Sequence, residues 1–143
     1  MEKIVAKIIM EMLGAPKEHV DDTMKLVMDK MSKDDKFKVI INKVFPSEEI
    51  NDKKLTGNKN VKFFSTFAEA ELEFKQIEDL LGFCFDYMPS SVEILHPDGL
   101  KLSLPNMNNM INDLIARLHQ YDMVLKNIHA QNMLMKKELG REN

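Results

Sequence analysis

Four histidines, one cysteine and a row of three glutamates are the residues in this chain whose types could carry chemistry. Histidine pairs that bind a metal on one helix are spaced by three or four residues, as in HExxH. His19, His96, His119 and His129 contain no such pair, so no metal site is expected. Glu69, Glu71 and Glu73 alternate along a strand, which sets them on one face about 7 Å apart. Neighbouring carboxylates do acid–base work when burial or partners split their pKa values. The plainer reading is a solvated strand face, or one that meets Lys7 on a neighbouring strand; a charged sheet edge is a variant of it. Cys84 lies in the apolar run Leu80 to Phe85, and a thiol there reads as buried and inert. Gly14 stands alone, without a GxGxxG or P-loop pattern around it. No Ser, His and Asp set and no Cys and His pair has a recognisable local context. The residues thus nominate no catalytic, metal or cofactor site, and a non-enzymatic protein is expected.

Composition narrows the classes further. Of 143 residues, 44% are hydrophobic and 30% charged, enough to build a core. A single cysteine excludes an intramolecular disulfide and a multi-cysteine zinc site. No apolar run approaches the roughly 20 residues that cross a bilayer. Lys3 and Lys7 interrupt the N-terminal apolar stretch too early for a secretory segment, so a cytoplasmic protein without membrane contact is expected. The net charge of −3 gives no electrostatic reason to expect DNA or RNA. Two tyrosines and no tryptophan leave little for base stacking. Twelve methionines suit an irregular core or an adaptable interface, although A·T-rich coding also enriches methionine.

The elements that must position these residues follow from periodicity. Residues 3–12 alternate as a strand, with Ile4, Ala6, Ile8, Met10 and Met12 on one side. Pro16 is placed to open a helix, and Val20, Met24, Val27, Met28 and Met31 give residues 16–32 one apolar face. Residues 37–45 form a second strand ended by Pro46. Residues 46–60 are polar and turn-rich, with a loop tip at Thr56 to Asn60. Residues 61–75 form a third strand in which Ala70, Leu72 and Phe74 alternate with the glutamates. Phe63 and Phe67 have the opposite parity to Ala70 and Leu72, which predicts a bulge or bend near Phe67–Ala68. Residues 76–88 read as a helix with Ile77, Leu80, Leu81, Cys84 and Met88 on one face. Residues 91–96 read as a fourth strand, and Leu100 to Leu104 as a short extra one. The open face of the sheet is expected to carry Lys7, Glu11, Asn42 and the glutamates.

This βαββαβ order is the split-βαβ or ferredoxin-like arrangement, an α+β antiparallel sheet with two helices on one face. The right-handed crossover rule gives the strand order 4-1-3-2. The expected division is an α+β domain over residues 1–104 and a long helix over residues 105–143.

The second part has a different regularity. From Asn106 to Leu139 the chain holds no proline or glycine. Apolar residues recur with 4–3 spacing. Ile111, Leu118, Leu125, Asn132 and Leu139 fall at heptad position a; Met107, Leu114, Tyr121, Ile128 and Met135 fall at d. Asn132 at a seam position specifies register at a cost in stability. Arg117 at g and Asp122 at the following e attract between parallel chains. Met110 and Ile115 widen the stripe in the first part and Val124 continues it, so that half reads as lying against the sheet or joining a bundle while the second half projects as a two-chain coil. His119 occupies a surface position and His129 one beside the seam. Such a helix reads as a coiled-coil element that makes a homodimer, parallel by a narrow preference over antiparallel, or docks on another protein. The competing reading is a helical hairpin broken near residues 120–122.

Phe63 to Glu71, FFSTFAEAE, and Tyr87 to Ile94, YMPSSVEI, resemble segments of small uncharacterised archaeal proteins. That resemblance implies no activity and no functional residues. The βαββαβ order with Gly14-Ala15-Pro16 after the first strand is also similar to regulatory modules of the ACT type. The chain departs from their pattern in having no acidic residue before the glycine. The likeness implies a metabolite bound near Gly14 to His19, as the alternative to an assembly protein.

Overall fold

The computed structural model describes residues 3–51 and 62–142. The chain divides into two units, Met1–Leu100 and Lys101–Asn143. The expected loop tip at Thr56 to Asn60 lies outside the described residues.

The first unit is α+β. Among the described residues its elements are β1 (Ile4–Gly14), α1 (Lys17–Ser32), β2 (Phe37–Val44), β3 (Glu48–Ile50), β4 (Phe63–Phe74), α2 (Ile77–Tyr87) and β5 (Ser91–His96). The sheet has five strands in the order β2-β4-β1-β5, with β3 also paired to β4. Each pairing is antiparallel. β3 corrects the reading of residues 46–60 as loop throughout. β2 pairs with the later half of β4, and β3 with Phe63 to Ser65 on the same edge. Pro46 has no N–H to give a ladder, so the edge path breaks there and resumes at Glu48.

Alternation sets the faces of the two central strands. Ile4, Ala6, Ile8 and Met10 of β1 and Ala68, Ala70, Leu72 and Phe74 of β4 are buried beneath both short helices. Into the same core α1 sends Met24, Met28 and Met31, and α2 sends Leu80 and Phe83. Phe37, Phe74 and Phe83 meet with ring centroids 5.3 to 5.8 Å apart; such pairs add about 0.5–1.5 kcal/mol each beyond area burial. This cluster also corrects the expected face of α2. Phe83 turns inward to the other rings, while Met88 stays exposed as the left-handed C-cap at φ 50°.

The bulge is not at Phe67–Ala68. β1 and β4 pair without a shift from Ile4 opposite Phe74 to Gly14 opposite Phe64. Phe67 simply shares the open face with Glu69, Glu71 and Glu73, at 43% exposure. The inward side of that stretch is polar: Thr66 is buried and its hydroxyl donates to the Phe45 carbonyl at 2.7 Å. Besides a shift between Val5 and Ala6 against β5, the irregularity sits in β2, between Val39 and Ile41. It exchanges the faces, placing Ile41 opposite Glu71 and Asn42 opposite Ala70. Asn42 therefore belongs to the helix-covered side of the sheet, not to the open face, and sits there exposed on the edge strand.

Candidate interaction surface

The second unit contains α3 (Leu104–Glu142), one helix of 39 residues. At 1.5 Å per residue it is about 60 Å long. Its start is set by Ser103: the Met107 N–H donates to the Ser103 carbonyl at 3.0 Å, and the Asn106 N–H to the Ser103 hydroxyl at 3.3 Å. Pro105 thus falls inside the first turn, where its missing N–H costs nothing. Leu100 to Leu104 is not an extra strand, because Leu104 already belongs to the helix and residues 101–103 lead into its cap. Nor does the helix break near residues 120–122; the backbone is helical from Leu104 to Glu142. After Pro105 it holds no proline or glycine before Gly140.

The ten expected seam residues lie on this single helix, as one stripe. Met107, Ile111, Leu118, Tyr121, Leu125, Ile128, Asn132, Met135 and Leu139 are exposed, and Leu114 is half-buried. Leu118 is 54% exposed, Leu125 65% and Leu139 63%. Ile115 and Val124 extend the apolar surface on its flanks, and Met123, Met133 and Leu134 add exposed apolar area off the seam. The flanking charges engage along the helix: Arg117 Nε lies 3.3 Å from Asp113, and Lys126 Nζ 2.8 Å from Asp122. Among the described residues, no helix is long and apolar enough to cross a membrane.

The glutamate row of the first unit faces lysines across the ladder. Glu71 is opposite Lys7, Glu73 opposite Lys38 and Glu69 opposite Lys43; Lys3 Nζ reaches Glu73 at 3.5 Å. The row is thus half-exposed and interleaved with positive charge. Beside it the open face has a depression of about 510 Å³, walled by Ile9, Phe45, Pro46 and Phe67 with Glu48 and Glu69 at its margin. Sequence reading missed this feature, although the parity of Phe67 was its signal. Among the described residues, no group of three His, Cys, Asp or Glu could hold a metal ion.

Cys84 is half-buried against the core, and that burial pushes its thiol pKa up. Gly14 ends β1, and a Cβ built there would meet Val20 Cγ2 at 3.4 Å, an ordinary contact. Neither Gly14 nor its neighbours to His19 line the open-face depression.

These features were compared with known proteins. The chain is 26% identical over 70 residues to the uncharacterised protein MJ0538 of Methanocaldococcus jannaschii. The aligned stretch is 49% of this chain and spans about a quarter, 26%, of that relative's length. No solved structure matches. The sequence model of the MJ0538 family matches residues 5–141, and the chain belongs to that family, which has an archaeal member.

Proposed function

We propose that this protein is a non-enzymatic assembly protein, whose long C-terminal helix joins a second copy of the chain. The observation that carries the proposal is the helix α3, which exposes a 4–3 series of apolar residues over its length. An isolated helix in water gains little from propensity; it is stabilised by covering its apolar face. Asn132 fits this use, because a polar residue in a seam selects one partner geometry. The α+β unit is read as ferredoxin-like, with β3 as an addition along the edge of β4. In the test, the parent chain is a dimer by light scattering. The Leu118→Asp, Leu125→Asp variant is a monomer with the near-ultraviolet circular dichroism of the α+β unit retained. An unchanged mass for the variant overturns the proposal.

A second reading, a regulatory domain for a small metabolite, is favoured by one observation, the depression walled by Phe45 and Phe67 on the open face. It requires a ligand-dependent rise in melting temperature across a metabolite panel, and a flat panel removes it.

A further inference from the structure

We infer that the depression on the open face of the sheet binds a small organic cation, an ammonium carried on an apolar body. This rests on the metabolite reading above and names the chemical class of its ligand. Three properties of the depression support it.

The first is its construction. β4 sends Ser65, Phe67 and Glu69 to the open face at alternate positions, and Ile9 of β1 lies opposite Glu69. The wall on the β2 side is the stretch where the edge path breaks, Phe45 to Glu48. Its backbone is tied down at both ends. The Phe45 N–H donates to the Phe67 carbonyl at 2.9 Å, and the Phe45 carbonyl accepts the Thr66 hydroxyl at 2.7 Å. The Ser47 N–H donates to the Asp21 carboxylate at 3.1 Å, and Lys17 Nζ donates to the Ser47 hydroxyl at 3.2 Å. On the other side, where β5 begins, the Ser90 N–H and hydroxyl both donate to the Ile9 carbonyl, at 2.8 and 3.0 Å. The walls are thus held before any ligand arrives. The volume of about 510 Å³ falls within the range of about 300–1,000 Å³ found for small-molecule sites.

The second is charge. The charged side chains that line the depression are Glu48 and Glu69, both acidic and on different strands. Among the described residues, no ion pair engages either one. A cleft lined by one sign of charge gathers ligands of the other sign, so these carboxylates favour a cation and repel an anion.

The third is the aromatic wall. Lys43 stands opposite Glu69 in the ladder, yet its Nζ lies over the Phe45 ring, 4.7 Å from the centroid. That is inside the reach of about 6 Å for a cation on an aromatic face. The wall thus already attracts an ammonium from its own chain. Phe67, 43% exposed, presents a second ring on the same face as Glu69, and among the described residues no cation sits over it. An ammonium placed between Phe67 and the two carboxylates meets both, while its apolar body covers Ile9 and Pro46.

Amide-resonance titrations of the full chain with three probes of one shape test this: phenethylammonium, phenethyl alcohol and hydrocinnamate. Phenethylammonium should move the Ile9 and Phe67 resonances and saturate, the alcohol should bind about fivefold more weakly or less, and hydrocinnamate should not bind. Glu48→Gln and Glu69→Gln, on separate strands, should each weaken phenethylammonium about three- to tenfold and leave the alcohol unaffected. Lys43→Gln removes the competing ammonium and should tighten phenethylammonium about threefold. Equal binding of the alcohol, an unchanged affinity in both glutamate variants, or weaker binding to Lys43→Gln each overturns the cationic class and leaves the metabolite reading standing. Failure of all three probes to move Ile9 and Phe67 also overturns the inference, while the melting-temperature panel decides the metabolite reading separately.

Discussion

At the scale of single residues, the face a side chain occupies decides what it is worth. Phe67 and Phe74 lie on one strand seven residues apart, on opposite faces: Phe67 is 43% exposed and Phe74 1%. Phe74→Ala should cost about 3–5 kcal/mol, as truncation of a buried ring does. Phe67→Ser should cost under about 1 kcal/mol, as for a surface position. Urea denaturation of the two variants measures the contrast, and equal losses would contradict the assigned faces. Tyr87 offers a pH test. Its hydroxyl donates to Asp34 at 3.0 Å. Burial first, and then that carboxylate, push its pKa from 10.0 up to about 12. The folded chain thus holds the phenolic proton more tightly than the unfolded chain. The stabilisation is full below pH 10 and is lost as pH rises toward about 12. Tyr87→Phe should lower stability near neutrality by about 1 kcal/mol and flatten the alkaline part of the stability curve. Melting temperatures from pH 7 to 12 would show an unchanged alkaline slope if Tyr87 were not responsible.

At the scale of elements, what was legible in the sequence was periodic, and what was hidden depended on distant partners. The alternation of β1, the apolar face of α1 and the 4–3 series of α3 arise from local repeats that backbone geometry imposes. β3 has only three residues and no alternation of its own; it exists because the β4 edge at Phe63 to Ser65 has room beyond Pro46. The bulge was misplaced by the assumption that every phenylalanine faces the core, whereas Thr66 takes the inward position through its bond to the Phe45 carbonyl. In α2, the inward turn of Phe83 follows from rings at Phe37 and Phe74, which no local pattern announces. The apolar stripe of α3 could be read in advance because its spacing is local; what covers it is a matter of partners that no local pattern announces. Asn132→Leu probes that element directly. Replacing a polar seam residue should tighten the proposed association by on the order of tenfold in Kd. Sedimentation equilibrium would register the change, and weaker association would contradict the seam assignment.

At the scale of the whole molecule, the two units differ in what they bury and what they expose. The α+β unit buries its aromatic and methionine core against α1 and α2. The helix α3 exposes leucines, isoleucines and methionines along its length, more apolar surface than a lone helix keeps in water without a partner. If a second copy covers that stripe, as proposed, association should follow mass action. The most direct measurement is the solution mass of the full chain by light scattering across a wide range of concentration. The account predicts a species of twice 16.6 kDa that persists on dilution into the micromolar range. A mass of 16.6 kDa at every concentration would contradict it.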